Sequence, residues 1–163
     1  GGDGHRNDLV DAATVTMAAR GGYRARIRAR RCAVQALYQW QIAGHEPCDI
    51  LTEFVAEREL IRVDMDYFAI LVSEIPTQFD TLQADLQSCL DRDWKQLDPV
   101  ERSVLLIGAY EMRNCPEVPY RVVINEGVEL CKMFGTVEGH RYVNGVLDKL
   151  AKDRRTPEIA LTE

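Results

Sequence analysis

The sequence lacks the residue patterns on which most enzyme active sites are built. Its three histidines are scattered, and no H-E-x-x-H, G-x-S-x-G, Walker-type or Rossmann-type glycine pattern occurs. Asp98 and Glu101 lie close together, but helix capping already accounts for both residues. We therefore expect a protein that is not an enzyme and that binds no metal and no cofactor.

Disulfide, zinc and membrane signatures are also missing. The cysteines lie far apart, mostly among apolar residues and without a C-x-x-C pair, at Cys32, Cys48, Cys89, Cys115 and Cys131. This pattern predicts small buried side chains in a reducing compartment. No apolar run approaches the 18 residues or so that a membrane span requires. We expect a soluble, cytoplasmic protein.

Strand-like alternation bounded by hairpin turns is absent, whereas apolar residues recur at helical spacing almost throughout. The sequence therefore predicts an all-α fold, a compact helical bundle of about seven helices. Residues 24–153 are expected to form one helical domain, and residues 154–163 a loose tail. Residues 1–23 are expected to form a flexible arm, and their pattern leaves open whether the arm is native or vector-derived.

The chain has no excess of positive charge. It carries 20 Lys and Arg against 26 Asp and Glu, a net charge of −6, which argues against a general nucleic-acid or anionic-membrane binder. The distribution is uneven, however. From Cys32 onward, 13 basic residues face 23 acidic ones, a net charge of −10, whereas the first 31 residues carry +4. The sequence therefore places a basic arm on an acidic body.

A cluster of arginines opens the first helix of the predicted domain, expected at residues 24–43. Its members are Arg24, Arg26, Arg28, Arg30 and Arg31. Helical spacing puts Ala29, Ala33, Ala36, Leu37 and Trp40 on one face, and Arg24, Arg28, Arg31, Gln35 and Tyr38 on the opposite face. The helix is thus predicted to have a core face and a face that is presented to a partner.

Phosphate binding explains this cluster better than a structural role does. Arginines at a helix N-terminus oppose the helix dipole, so another interaction must compensate. Guanidinium groups match phosphate oxygens, and a helix N-terminus attracts anions. A solvated helix start and a targeting presequence remain as alternatives, although the basic stretch continues directly into the core-forming helix.

The stretch "EGHRY" is the second unusual feature. Glu138, His140, Arg141 and Tyr142 combine charge, an imidazole and a stackable ring at a predicted helix start, a combination used in single-stranded RNA recognition. The alternative is a half-buried core tyrosine in a polar first turn. Asn125 and Asn144 interrupt apolar helical patterns nearby, and we expect their amides to bond to neighbouring backbone.

Four stretches, in order, resemble the NusB family of bacterial transcription antitermination factors. They are "RARRCAVQALYQW", "LDPVERSVLLIGAYEM", "VPYRVVINEGVELCKMFG" and "HRYVNGVLDK", and the resemblance covers approximately residues 24–152. It implies an all-helical fold of two packed three-helix-like subdomains. It also implies that the protein binds boxA RNA of ribosomal RNA leaders together with the small-subunit ribosomal protein NusE, in the antitermination complex of RNA polymerase.

The resemblance further implies roles for individual residues. The RNA-binding residues would be Arg24, Arg26, Arg28, Arg30, Arg31, Glu138, His140, Arg141 and Tyr142. The residues that bind the ribosomal protein would be Tyr38, Glu101 and Arg102. Two other functions stay open, an RNA-binding module of a ribosomal RNA methyltransferase and a non-catalytic interaction scaffold. The free protein could be a monomer or a homodimer.

Overall fold

The computed structural model describes residues 4–57, 60–135 and 138–162, with side chains from Gly22 to Leu161 outside the two gaps. The described residues form eight α-helices and one short 3₁₀ turn, and no strand occurs among them. The helices are α1 (Gly4–Ala43), α2 (Pro47–Glu57), α3 (Met65–Thr77), α4 (Phe79–Gln87), α5 (Pro99–Asn114), α6 (Tyr120–Met133), α7 (Gly139–Arg154) and α8 (Thr156–Thr162), with the 3₁₀ turn at Trp94–Gln96. The all-α prediction is confirmed.

Helix α1 begins at Gly4, well before the start near Arg24 that the apolar pattern predicts. Residues 7–20 contain four alanines and no proline, so the sequence there offers no strong helix breaker. The side chains before Gly22 lie outside the described residues, and the flexible arm therefore stays a prediction. At its other end α1 stops at Gly44, whose φ of 67° suits glycine.

Helix α5 is the centre of the core. It packs against α1, α3, α4, α6 and α7, and every residue from Ser103 to Met112 is buried. Asp98 caps its start, as the sequence predicts, because the Asp98 carboxylate accepts a hydrogen bond of 2.7 Å from the Val100 N–H, and Pro99 is the first helical residue. The helix thus has a fixed start and is buried on all sides for most of its length.

Small residues allow the surrounding helices to approach α5 closely. On α1, Ala29, Ala33 and Ala36 are fully buried. A Cβ added to Gly108 of α5 would lie 2.6 Å from Leu147 of α7, and one added to Gly127 of α6 would lie 2.8 Å from the same side chain. The packing of α5, α6 and α7 therefore depends on these two glycines.

The tail contains an additional helix, α8, where the polar sequence predicts a loose segment. Its anchor is Arg155, which is buried and donates hydrogen bonds to the backbone carbonyls of Met112, Val118 and Cys115. The Glu158 carboxylate accepts from Arg155 at 2.6 Å and from the Tyr120 N–H at 2.8 Å. It thereby satisfies a backbone donor that Pro119, the residue before α6, leaves uncapped.

The cysteine prediction is confirmed at three positions, since Cys89, Cys115 and Cys131 are buried. Cys32 is only partly buried, and Cys48 is exposed near the start of α2. None of the five, all of which belong to the described residues, forms a disulfide. No helix in the described ranges is long and apolar enough to span a membrane, and no group of metal-ligating side chains occurs there.

Candidate nucleic-acid interface

The arginine cluster of α1 is divided between two faces of the helix. Arg24 and Arg31 are exposed, and neither pairs with a described residue. Arg28 is partly exposed, and its Nη1 donates a long hydrogen bond of 3.4 Å to the Arg62 carbonyl. Arg24, Arg28 and Arg31 follow each other at helical spacing, and we call them the arginine stripe. The stripe faces solvent, as the sequence predicts.

Arg30 does not belong to this stripe, which corrects its predicted RNA-binding role. It is 2% exposed, and its Nε and Nη2 donate hydrogen bonds of 2.9 and 2.8 Å to the Glu111 carboxylate. The Tyr67 hydroxyl donates to the same carboxylate. The reason is visible in the sequence, because Arg30 precedes Ala33 and Leu37 at helical spacing and therefore lies on the core face.

Electrostatics favour the charged form of this buried arginine. Burial acts to lower the pKa of Arg30, but the charge and the hydrogen bonds of Glu111 outweigh it and leave the pKa raised. Burial and, after it, the Glu111 charge raise the pKa of Tyr67. Tyr67 therefore remains a neutral donor, and the Arg30–Glu111 pair is a structural ion pair between α1 and α5.

Arg26 occupies an intermediate position. Its guanidinium lies 4.6 Å from the centroid of the Tyr67 ring, and its Nε is 3.7 Å from the Asp64 carboxylate. Asp64 is held beside α1 by a backbone hydrogen bond of 3.1 Å to the Ala25 carbonyl. Arg26 is only partly buried. It can reach an outside anion only in competition with Asp64, whereas Arg24 and Arg31 have no competing partner among the described residues.

The start of α7 brings Tyr142 together with a residue that the sequence analysis missed. The Arg92 guanidinium lies 4.3 Å from the centroid of the Tyr142 ring, and Arg92 Nε donates a 2.9 Å hydrogen bond to Asp91. Burial raises the pKa of the half-buried Tyr142. Arg92 lies in the polar segment between α4 and the 3₁₀ turn, and no periodicity marks it. The only sequence signal for Arg92 is its position two residues before Trp94.

Glu138, His140 and Arg141 precede Tyr142 in sequence and add polar side chains to the start of α7. Glu138 and Arg141 are exposed, and His140 is partly buried with its Nδ1 shielded from solvent. His140 and Arg141 also line an open groove of about 480 Å³ between α7 and α6. The predicted residues of the "EGHRY" stretch are therefore gathered at one end of α7.

The arginine stripe and the start of α7 are separate surfaces with α6 between them. Arg31 lines one groove with Glu129 and Met133 of α6, whereas His140 lines another with Arg121 of the same helix. The two grooves share no residue of α6, and as sets their α6 linings are centred on different sides of the helix. An extended partner would have to pass along α6 to touch both surfaces.

The predicted partner-binding residues lie where α1 meets the start of α5. Tyr38 is 42% exposed and Ile42 is 55% exposed, one turn apart on α1. Gln41, between them in sequence, donates a 2.7 Å hydrogen bond to Ser103 Oγ of α5. This bond fixes the end of α1 against the start of α5, so that an exposed apolar patch lies near Glu101 on the same pair of helices.

Glu101 and Arg102 are half-buried at the first turn of α5. Burial raises the pKa of Glu101, the Asp98 charge raises it further, and Arg92 opposes both effects. The Nε of Arg102 is buried without a hydrogen-bond partner among the described residues. Arg92 thus acts on Glu101 and also contacts the Tyr142 ring at the start of α7.

The fold and these surfaces define a helical binding module, with an exposed arginine stripe on α1, a ring and a guanidinium at the start of α7, and an apolar, acidic surface where α1 meets α5. A family model described as "NusB family" matches residues 27–152. The chain belongs to the NusB family.

Curated relatives support this assignment over most of the chain. A Legionella pneumophila protein is 46% identical over 138 residues, which is 85% of this chain and 94% of the relative. A Hahella chejuensis protein is 48% identical over 132 residues, which is 81% of this chain and 89% of the relative. An Idiomarina loihiensis protein is 49% identical over 125 residues, which is 77% of this chain and 90% of the relative. All three are named transcription antitermination protein NusB. Proteins of this kind are not enzymes, which agrees with the sequence prediction.

Proposed function

We propose that this chain is an RNA-binding antitermination factor. It recognises boxA-type leader RNA of ribosomal RNA transcripts together with the ribosomal protein NusE, as part of the antitermination complex of RNA polymerase. The observation that carries the proposal is the arginine stripe, which faces solvent in a NusB-family chain whose body is acidic.

The RNA side rests on the stripe and on the start of α7. Arg24 and Arg31 have no described partner, so binding a phosphate breaks no ion pair of the fold. Exposed guanidinium groups form charge-assisted, bidentate hydrogen bonds with phosphate oxygens. Tyr142 and Arg92 add a ring and a guanidinium, groups on which unpaired RNA bases stack. Phosphates would thus position the strand, and stacking would hold a base.

The protein side rests on the surface formed by Tyr38, Ile42, Glu101 and Arg102. Exposed aromatic and aliphatic side chains supply apolar burial at the centre of an interface, and a half-buried carboxylate supplies a charge-assisted hydrogen bond to a basic partner. Ribosomal proteins are generally basic, and the body of this chain carries a net charge of −10 from Cys32 onward. The apolar surface and the negative net charge therefore both favour a basic ribosomal protein as the partner.

Glu101→Lys tests the protein side. The substitution places a like charge against the basic partner, and we expect at least a tenfold loss of affinity for NusE, on the order of 2 kcal/mol. The matched control is Glu53→Lys on the exposed surface of α2, which should bind as the parent does. Affinity is measured by titration calorimetry on samples whose melting temperatures match. Equal binding by both variants would remove this surface from the interface.

The RNA side is tested with the same proteins and a boxA-bearing RNA. Glu101→Lys should bind this RNA nearly as the parent does when NusE is absent, and should lose the gain in affinity that NusE gives. Two alternatives predict other results. A plain scaffold binds neither boxA RNA nor NusE, and a methyltransferase module binds RNA without NusE. The names of the curated relatives favour the antitermination role.

A further inference from the structure

A cavity lies at the end of the molecule where the described part of α1 begins and α5 ends. Its lining includes Arg26 and Arg30 of α1, Asp64 just before α3, Glu117 in the loop between α5 and α6, and Val122 of α6. The volume of about 480 Å³ lies in the range of small-ligand sites, roughly 300–1,000 Å³. The surface proposed for the ribosomal protein lies at the opposite ends of α1 and α5, so this cavity is separate from it.

Arg30 brings to this cavity a buried donor that the fold does not use. Its side chain is 3% exposed, and its Nε and Nη2 donate hydrogen bonds to the Glu111 carboxylate. The third nitrogen, Nη1, is buried and has no hydrogen-bond partner among the described residues. Because Glu111 occupies one edge of the guanidinium, Nη1 is the nitrogen that remains for the cavity. A buried guanidinium N–H without an acceptor is costly, so Nη1 indicates a ligand with an acceptor oxygen.

The charges around the cavity disfavour a simple anion and a simple cation. Arg26 and Arg30 carry two positive charges, whereas Asp64, Glu117 and the Glu111 carboxylate on Arg30 carry three negative ones. An anion would add a fourth negative charge and compete with Asp64, which lies 3.7 Å from Arg26 Nε. A cation would lie beside two guanidinium groups. A zwitterion avoids both costs, because its ammonium group gives Asp64 a new partner while its carboxylate takes the guanidinium groups.

The wall formed by the α5–α6 loop and α6 combines a free carboxylate with aliphatic surface. Glu117 is exposed and forms no ion pair or hydrogen bond with another described residue. Val118 beside it is 5% exposed, and Val122 is half-buried. The Tyr23 hydroxyl of α1 donates a 2.7 Å hydrogen bond to Glu126 of α6, which joins the two walls. The cavity therefore has a fixed frame with an apolar side and charges of both signs.

We propose that this cavity binds a free α-amino acid with an aliphatic side chain. Arg30 Nη1 and Arg26 bind its carboxylate, Glu117 and Asp64 bind its ammonium group, and its side chain packs against Val122. A charge pair of this kind on a small apolar body matches the lining, which a phosphate does not. The inference is independent of the RNA-binding function proposed above, because it uses neither the arginine stripe nor the start of α7.

The test titrates the full chain with L-leucine and with two molecules that each lack one of its charged groups. Isocaproate lacks the ammonium group, and isoamylamine lacks the carboxylate. Leucine should raise the melting temperature, because it binds only the folded chain, and should shift the amide NMR signals of Val118 and Val122. Each partial molecule should bind about tenfold or more weakly, since it loses the charge-assisted hydrogen bonds of one group. Glycine should also bind more weakly, because it has no side chain to bury.

Two variants test the two sides of the site. Glu117→Gln keeps the shape of an exposed side chain and removes its charge, so it should fold as the parent does and bind leucine about tenfold or more weakly. The matched control is Glu74→Gln, on the exposed surface at the other end of α3, which should bind leucine as the parent does. Val122→Phe adds a ring on the cavity wall without changing any charge and should abolish leucine binding.

Three results would overturn the inference. If millimolar leucine changes neither the melting temperature nor the signals of the two valines, the cavity is not an amino-acid site. If isocaproate binds as tightly as leucine, the cavity recognises a carboxylate alone and the zwitterion assignment is wrong. If Glu117→Gln binds leucine as the parent does, the ammonium contact is wrong. Binding of boxA-bearing RNA, measured separately on the parent, tests the proposed function whichever result is found.

Discussion

At the scale of single residues, two arginines four positions apart in sequence differ in their exposure to solvent. Arg26 keeps part of its surface in contact with solvent, whereas Arg30 is 2% exposed and paired with Glu111 inside the fold. A buried ion pair adds little net stability, but removal of one partner leaves an uncompensated charge, which costs about 3–5 kcal/mol. Arg30 is therefore a fold determinant and not an RNA contact.

Glu111→Gln tests this assignment. The neutral side chain leaves Arg30 buried without its counter-charge, so we expect the free energy of unfolding to fall by about 3 kcal/mol or more. The double variant Arg30→Met/Glu111→Leu removes both charges and should recover most of that loss. Stability is measured by urea denaturation. If the single and double variants are equally unstable, the cost arises from packing and not from the unpaired charge.

Tyr142 is the residue at which stacking and core packing can be separated. A base stacks on the ring face, so Tyr142→Phe should bind RNA nearly as the parent does, whereas Tyr142→Ala should lose about 1–3 kcal/mol of RNA affinity. Because the ring is half-buried under Arg92, Tyr142→Ala should also be less stable. Both quantities are measured on the same samples. A Tyr142→Ala protein that melts far lower, yet binds RNA equally well when folded, would show that the ring is only core.

At the scale of helices, Asp85 connects three elements. Its carboxylate on α4 forms ion pairs of 2.8 Å with Arg113 of α5 and 2.5 Å with Arg154 of α7. The hydrogen bond from Arg113 and the interactions with Arg154 outweigh burial and lower the pKa of Asp85 below its ordinary value of 3.8. A group whose pKa is lowered on folding stabilises the fold above its unfolded pKa, and this stabilisation is lost as the pH falls through the folded pKa.

Asp85→Asn should therefore be less stable than the parent at pH 7, and the difference should shrink as the pH drops below about 4. Thermal unfolding at neutral and acidic pH measures it. Asp80→Asn, on the exposed surface of the same helix, is the matched control and should track the parent at every pH. A difference between Asp85→Asn and the parent that stays constant with pH would contradict the electrostatic account.

Helix boundaries show which local features a sequence specifies. Asp98, Pro99 and Gly44 act through their own backbone neighbours, so the start of α5 and the end of α1 were predictable. The anchoring of α8 depends on Arg155 meeting carbonyl groups some forty residues earlier, and the pairing of Arg30 depends on Glu111. Such contacts exist only after the helices have packed, and polarity alone therefore predicted a loose tail and an exposed arginine.

At the scale of the whole molecule, the candidate site also combines local sequence features with contacts that form only when the helices pack. The arginine stripe was predictable because charge and period appear in one segment. Three other features depend on the packing of segments that are distant in sequence. They are the position of Arg92 over Tyr142, the groove between α6 and α7, and the separation of the stripe from α7 by α6. The molecule that results carries a net charge of −6, with an exposed arginine stripe on α1.

The central claim, that the arginine stripe binds RNA through phosphates, predicts a specific salt dependence. Neutralisation of about three phosphates gives a slope near −2 in log affinity against log salt, or about twentyfold weaker binding at 200 mM than at 50 mM salt. The decisive measurement compares this slope for the parent, for Arg28→Glu/Arg31→Glu, and for Lys149→Glu/Lys152→Glu, which makes the same charge change at the far end of α7. The account predicts a weaker affinity and a flatter slope for the arginine variant alone. Equal slopes for all three proteins would contradict it.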